Sequence, residues 1–247
     1  MKFIGLDLGW SSGASGLCSL ALVGERLEWV SLCTRTTLSD IWQWLDAQIA
    51  EAEPGLVAVD APTLIPNATG SRLCDRLAHR YFGRYHAGAY PANQSLPFAQ
   101  RTVGVGTTLE ARGFRHAPAI TPQQPGRYQI ELFPHPATIH LFGLTRILKY
   151  KKGKLGDRKL ALAKLYHHIV TVLPTLVPAL VLPLPLPSEY NTLTGKQLKT
   201  IEDQLDALLC AYVGAYWWWW GVERNWVLGD AQTGYIVVPA PVATAPA

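Results

Sequence analysis

Three acidic residues of this chain stand in apolar segments, where a lone carboxylate is expensive to bury and needs a partner. Asp7 lies in the run KFIGLDL, Asp60 closes LVAVD, and Glu131 interrupts YQIELF. Two more, Asp203 and Asp206, fall three apart in EDQLDALLCAY, a spacing that projects both from nearly the same side of a helix among Leu and Ala. Only 18 of the 247 residues are Asp or Glu, so their presence in apolar runs calls for an explanation. A cluster of hard oxygen ligands without His or Cys suits Mg²⁺ or Mn²⁺ rather than zinc. Two such ions about 4 Å apart would orient water and neutralise the charge developing on a scissile phosphodiester, with no side-chain nucleophile required. Each acid also has a plainer reading as half of an ion pair, above all Asp203 with Lys199.

Bringing these acids together requires strands and helices in alternation, an α/β fold. Lys2 to Leu8, Leu17 to Val23 and Arg26 to Leu32 read as three adjacent strands, the last two joined by a Gly24-Glu25 hairpin turn. Thr37 and Asp40 form a capping pair ahead of helically spaced Leu38, Ile41, Trp42, Leu45 and Ile49. Leu56 to Val59 is a buried strand delivering Asp60 to its C-terminal end, where ligand-binding residues of parallel sheets collect. Ser71 is expected to cap a helix to about Phe82, with Arg72, Arg76, Arg80 and Arg84 on one face. Residues 83–127, rich in Gly, Pro and Gln, read as a long excursion at one rim of the sheet. Tyr128 to Phe133 is a strand stopped by Pro134 and Pro136, Asp157 is expected to cap a helix to about Leu173, Lys196 to Trp220 is the longest helical pattern, and Gly234 to Val238 is a late strand.

A chain that is 49% hydrophobic and 16% charged buries one sizeable core, which excludes intrinsic disorder. We expect a single domain over residues 1–240, with the insertion around 83–127 and a flexible tail at 241–247. The formal charge of +4 is compatible with a polyanionic partner and common among ordinary enzymes. Cys18, Cys33, Cys74 and Cys210 form neither a CxxC pair nor a disulfide framework, which favours reduced thiols and a cytoplasmic location. Asp7 and the early glycines interrupt any export signal, and the prolines between Thr171 and Pro187 turn the most apolar run into a buried connection rather than a membrane span.

Arg72, Arg76, Lys149, Lys151 and Lys152 are candidate phosphate contacts, against the commoner outcome of a solvated helix face and loop. His135 could move a proton or donate to a phosphate, or be a hydrogen-bonded structural histidine. His167 and His168 read as helix surface. Trp217 to Trp220 could stack on bases, although they continue the last helix and packing against the sheet is the simpler use.

The segments IGLDLGW, VAVDAP and DQLDALLCAY together resemble the RNase H-like superfamily, especially its RuvC-like resolvase branch. With the RxCDxxL run at Arg72 to Leu77, ELFPHPA at Glu131 to Ala137, YKKGK at Tyr150 to Lys154 and the closing GYIVVP strand, the chain resembles a bacterial family of predicted RNase H-like nucleases, domain of unknown function 429. The resemblance implies a mixed five-stranded sheet flanked by helices, Mg²⁺ or Mn²⁺ as cofactor, and DNA or RNA as partner. It makes Asp7, Asp60, Glu131 and Asp206 catalytic, with Asp7 and Asp60 holding two metals and Asp203 and Asp206 completing the shell. Glu131 would be an extra ligand or a water-orienting base. Two other functions stay open. The Gly and Ser-rich turn after Asp7 could cradle a phosphate in an actin-like phosphotransferase or ATPase, although the chain has no second phosphate loop of the DxGxT type and VGVGTT at residues 103–108 follows no strand-to-loop signal. A non-catalytic nucleic-acid-binding relative would retain the acids as relics.

Overall fold

The computed structural model describes residues 1–11, 13–187 and 189–241. Of the expected tail, residues 242–247 lie outside these. The sheet begins with β1 (Lys2–Asp7), β2 (Ser15–Val23) and β3 (Arg26–Arg35), a meander in which Gly24 takes the positive φ of +61° that the β2–β3 turn requires. α1 (Leu38–Gln48) follows, its Thr37 cap accepting from the Asp40 amide at 3.1 Å as the sequence predicts. β4 (Gly55–Val59), α2 (Leu73–Phe82), α3 (Ala99–Ala111), β5 (Arg115–His116), β6 (Arg127–Glu131), α4 (Pro134–Leu141), α5 (Leu155–Val172), β7 (Ala179–Leu180), α6 (Gly195–Trp220), β8 (Asn225–Asp230) and β9 (Gly234–Pro239) complete the order.

The result is an α/β protein with a seven-stranded mixed sheet, β5-β6-β4-β1-β2-β3-β7, in which β2 alone runs against the rest. The expected five-stranded sheet is thus extended at its two edges by the two-residue strands β5 and β7, and β8 and β9 form a separate antiparallel ribbon. Strands of two residues carry too little pattern to be read from sequence. The expected excursion at residues 83–127 contains α3, whose Gly104, Gly106 and β-branched residues weaken its helical signal. Ser71 precedes the actual cap of α2, which is Arg72, and Asp157 lies in the first turn of α5 rather than at its cap. Among the described residues no helix is long and apolar enough to cross a membrane.

Strand alternation divides the core. Ile4, Leu6, Val57 and Val59 face α1 and α3, whereas Phe3, Cys18, Leu20, Leu56 and Ala58 face α6 and α5. On the α6 face the contact is backbone on backbone. A Cβ on Gly5 would lie 1.8 Å from the Ala207 carbonyl oxygen, and one on Gly16 would lie 1.9 Å from that of Asp203. Glycines in two adjacent strands therefore let the acidic stretch of α6 settle directly over the end of β1. Gly16→Ala is expected to cost about 2 kcal/mol by overpacking, read as a lower urea midpoint. An unchanged midpoint would mean that helix and strand are not in contact there. The tryptophans close the far end of α6 by packing, as their position predicts: Trp217 donates its indole N–H to the Ala117 carbonyl at 3.0 Å and Trp218 to that of Gln124 at 2.8 Å.

Candidate active site

β1 and β4 are parallel neighbours with Leu6 opposite Val59, so the next residues, Asp7 and Asp60, leave the two strand ends on the same face of the sheet. That face is the one covered by α6, and the carboxyls of Asp7 and Asp60 are within hydrogen-bonding reach of each other. From α6, Asp206 is buried behind them and Asp203 reaches the same cavity. The cavity has a volume of about 590 Å³, and Asp7 and Asp60 lie in its wall with Trp10, His135, Lys149 and Lys152. Strand ends, glycine seam and helix spacing thus bring together four acids that are far apart in the chain.

Glu131 lines the same cavity but leaves its strand on the other face of the sheet. β6 pairs with β4 so that Glu131 stands opposite Val59, and strand parity turns it to the sheet face opposite to that of Asp7 and Asp60. Its oxygens receive both terminal nitrogens of Arg72, at 2.6 and 2.7 Å, and the Thr63 amide at 3.2 Å. The proposed role as extra metal ligand or water-orienting base therefore has no free carboxylate behind it. Arg72, expected at a phosphate or on a solvated face, is buried instead. Its Nε and Nη2 reach Asp75 and its Nη1 reaches the Leu64 carbonyl at 3.0 Å, so all five N–H donors are engaged. Asp75 in turn accepts from the Ala92 amide at 2.9 Å, tying the loop that lines the cavity to the start of α2.

The other candidate phosphate contacts divide. Lys149 and Lys152 are exposed at the cavity wall, and Arg76 is exposed on α2 outside it. Lys151 lies among the acids, its Nζ paired with Asp206 Oδ2 at 2.7 Å. Asp206 Oδ1 accepts from the Tyr150 hydroxyl at 2.7 Å. Arg158 holds this segment in place, donating to the Tyr150 carbonyl at 2.9 Å and to Glu202 at 3.2 Å. Sequence reasoning missed Tyr150 and the inward turn of Lys151. The available signal was charge balance, because three buried aspartates require a cation nearby. Asp203 does pair with Lys199, at 2.5 Å, and Lys199 also reaches Glu202 at 2.9 Å. His135 leans edge-on to Tyr150, its Nδ1 is buried without a partner, and burial together with Lys151 pushes its pKa down to about 4, so the ring is neutral at physiological pH.

Burial raises the Asp7 carboxyl well above the usual range; Lys151 opposes the shift and Asp206, Asp60 and Asp203 add to it. Asp60 is pushed up to about 6, again by burial, with Lys151 opposing and Asp206 adding. It therefore holds its proton more tightly in the folded chain than in the unfolded one, where a carboxyl titrates near about 4. The stability this supplies is complete below about pH 4 and is lost as pH rises through about 6. In chelator-treated protein, Asp60→Asn is expected to match wild type near pH 4 and to exceed it near pH 7.5 by on the order of 2 kcal/mol. A stability difference that stays constant with pH would contradict this assignment.

Among the described residues, no group of three or more His, Cys, Asp or Glu side chains is arranged to hold a metal ion. The donors are nevertheless right in kind. Asp7, Asp60 and Asp206 supply hard carboxylate oxygens, and Asp206 Oδ2 is buried without a hydrogen-bond donor. The chain matches no curated protein and no solved structure. The model of the family described as "Protein of unknown function (DUF429)" matches residues 5–231, a stretch that contains every acid of the site, and the chain belongs to that family.

Proposed function

We propose that this protein is a divalent-metal-dependent nuclease of RNase H-like fold that hydrolyses phosphodiester bonds of DNA or RNA. The observation that carries the reading is the convergence of Asp7, Asp60 and Asp206 at one end of the sheet, beside a cavity whose wall bears the exposed Lys149 and Lys152. The element order also supports it: a strand bearing Asp7, a hairpin, a helix, a strand ending at Asp60, and a late helix bearing the Asp203 and Asp206 pair. Asp7, Asp60 and Asp206 would hold Mg²⁺ or Mn²⁺, which when bound supplies an activated water and charge neutralisation on the phosphate. Lys149 and Lys152 are placed to attract the polyanion, a contribution that weakens with salt. Arg72, Asp75 and Glu131 act as the wall that fixes the shape of the cavity.

The phosphotransferase alternative gains no second phosphate loop, because residues 103–108 lie within α3 and Gly106 packs against the Thr63 carbonyl. Purified protein should cleave at least one member of a panel of single-stranded, duplex, hybrid, flapped and branched substrates in Mg²⁺ or Mn²⁺, and chelation should stop it. Binding without cleavage of any of them would favour the non-catalytic relative.

A further inference from the structure

Resting on the metal reading above, we infer that the Lys151 ammonium is the resident cation of the carboxylate cluster in the metal-free protein, and that a divalent ion must displace it to bind. The side chain of Asp206 has no exposed surface, and its Oδ2 has no hydrogen-bond donor, only Lys151 Nζ at 2.7 Å. The same ammonium acts on the charges of Asp7, Asp60 and Asp203. It thus stands against the carboxylates that would bind a metal.

The geometry also provides an exit. Lys151 lies between α4 and α5, outside any helix or strand, two residues before Gly153 with its φ of +116°. Its side chain is 31% exposed, so the ammonium can leave Asp206 without crossing the core. Lys151 already lines the cavity with Lys149 and Lys152, and once released from Asp206 its charge would be free for the polyanion contact expected there. Metal loading would then convert a counter-ion into a substrate contact, and coupling between metal and nucleic-acid binding follows.

Calorimetric titration of chelator-treated wild type and Lys151→Met with Mn²⁺ tests this. The variant should bind Mn²⁺ at least about tenfold more tightly, and without metal it should melt lower, because its buried carboxylates have lost their cation. On wild type alone, acetylation of Lys151 by a small anhydride, followed by peptide mass spectrometry, should rise several-fold when Mn²⁺ saturates the protein. This second measurement decides the matter if Lys151→Met does not fold. Equal Mn²⁺ affinity in the two proteins, or Lys151 acetylation indifferent to bound Mn²⁺, would overturn the displacement and leave the metal reading standing. Absence of Mn²⁺ binding to either protein would overturn both.

Discussion

Asp7→Asn is expected to lower metal-dependent phosphodiester cleavage about a thousandfold or more while raising the melting temperature of the metal-free protein by about 3–6 °C. The two effects have one cause. Asp7 is buried at the end of β1, and burial, Asp206, Asp60 and Asp203 all work against its charge. An isosteric amide removes that electrostatic cost and can still donate to Asp60, while Lys151 keeps Asp206 at 2.7 Å. A gain of about 1–2 kcal/mol on this account converts to the stated rise at about 2–4 °C per kcal/mol for a domain of this size. The same change deletes a carboxylate that a divalent ion needs, and an amide oxygen is a weaker ligand for a hard cation. Cleavage and melting measured on the same preparation check both arms. Loss of cleavage together with a lower melting temperature would mean that Asp7 is structural. Full cleavage would remove the nuclease reading.

Arg72→Met should be the most damaging single change outside the acid cluster, destabilising the protein by about 3–5 kcal/mol. The guanidinium bridges Glu131 at the end of β6 and Asp75 in the first turn of α2 while also binding the Leu64 carbonyl. Burial pushes the Glu131 carboxyl up to about 7 against the pull of Arg72, so without Arg72 that carboxyl faces a low dielectric alone. Thermal or urea unfolding reads the loss as a fall of about 10 °C or more. Arg72→Lys should recover little, since an ammonium cannot reproduce five donors in a planar fork. The phosphate-contact reading predicts the reverse, with stability kept and only nucleic-acid affinity lost. A stable Arg72→Met protein with weakened binding would restore it.

Much of this molecule is written in local pattern. Apolar runs ending in Asp7 and Asp60, the Thr37 cap, the Gly24 turn and the long amphipathic α6 follow from side-chain period and backbone preference within about ten residues, and so does the nomination of Asp7, Asp60, Asp203 and Asp206. Glu131 was nominated by the same rule, yet one residue of strand parity separates it from Asp60, and parity acts across strands through the β4–β6 register. Lys151 and Arg72 show the same limit from the basic side. A cation next in sequence to exposed lysines, or at the head of an arginine stripe, is indistinguishable from a surface charge until folding places buried carboxylates around it. Local interactions select the elements because they depend on neighbours along the chain; which charges meet depends on register and helix docking, and here the seam of Gly5 and Gly16 beneath α6 makes that choice.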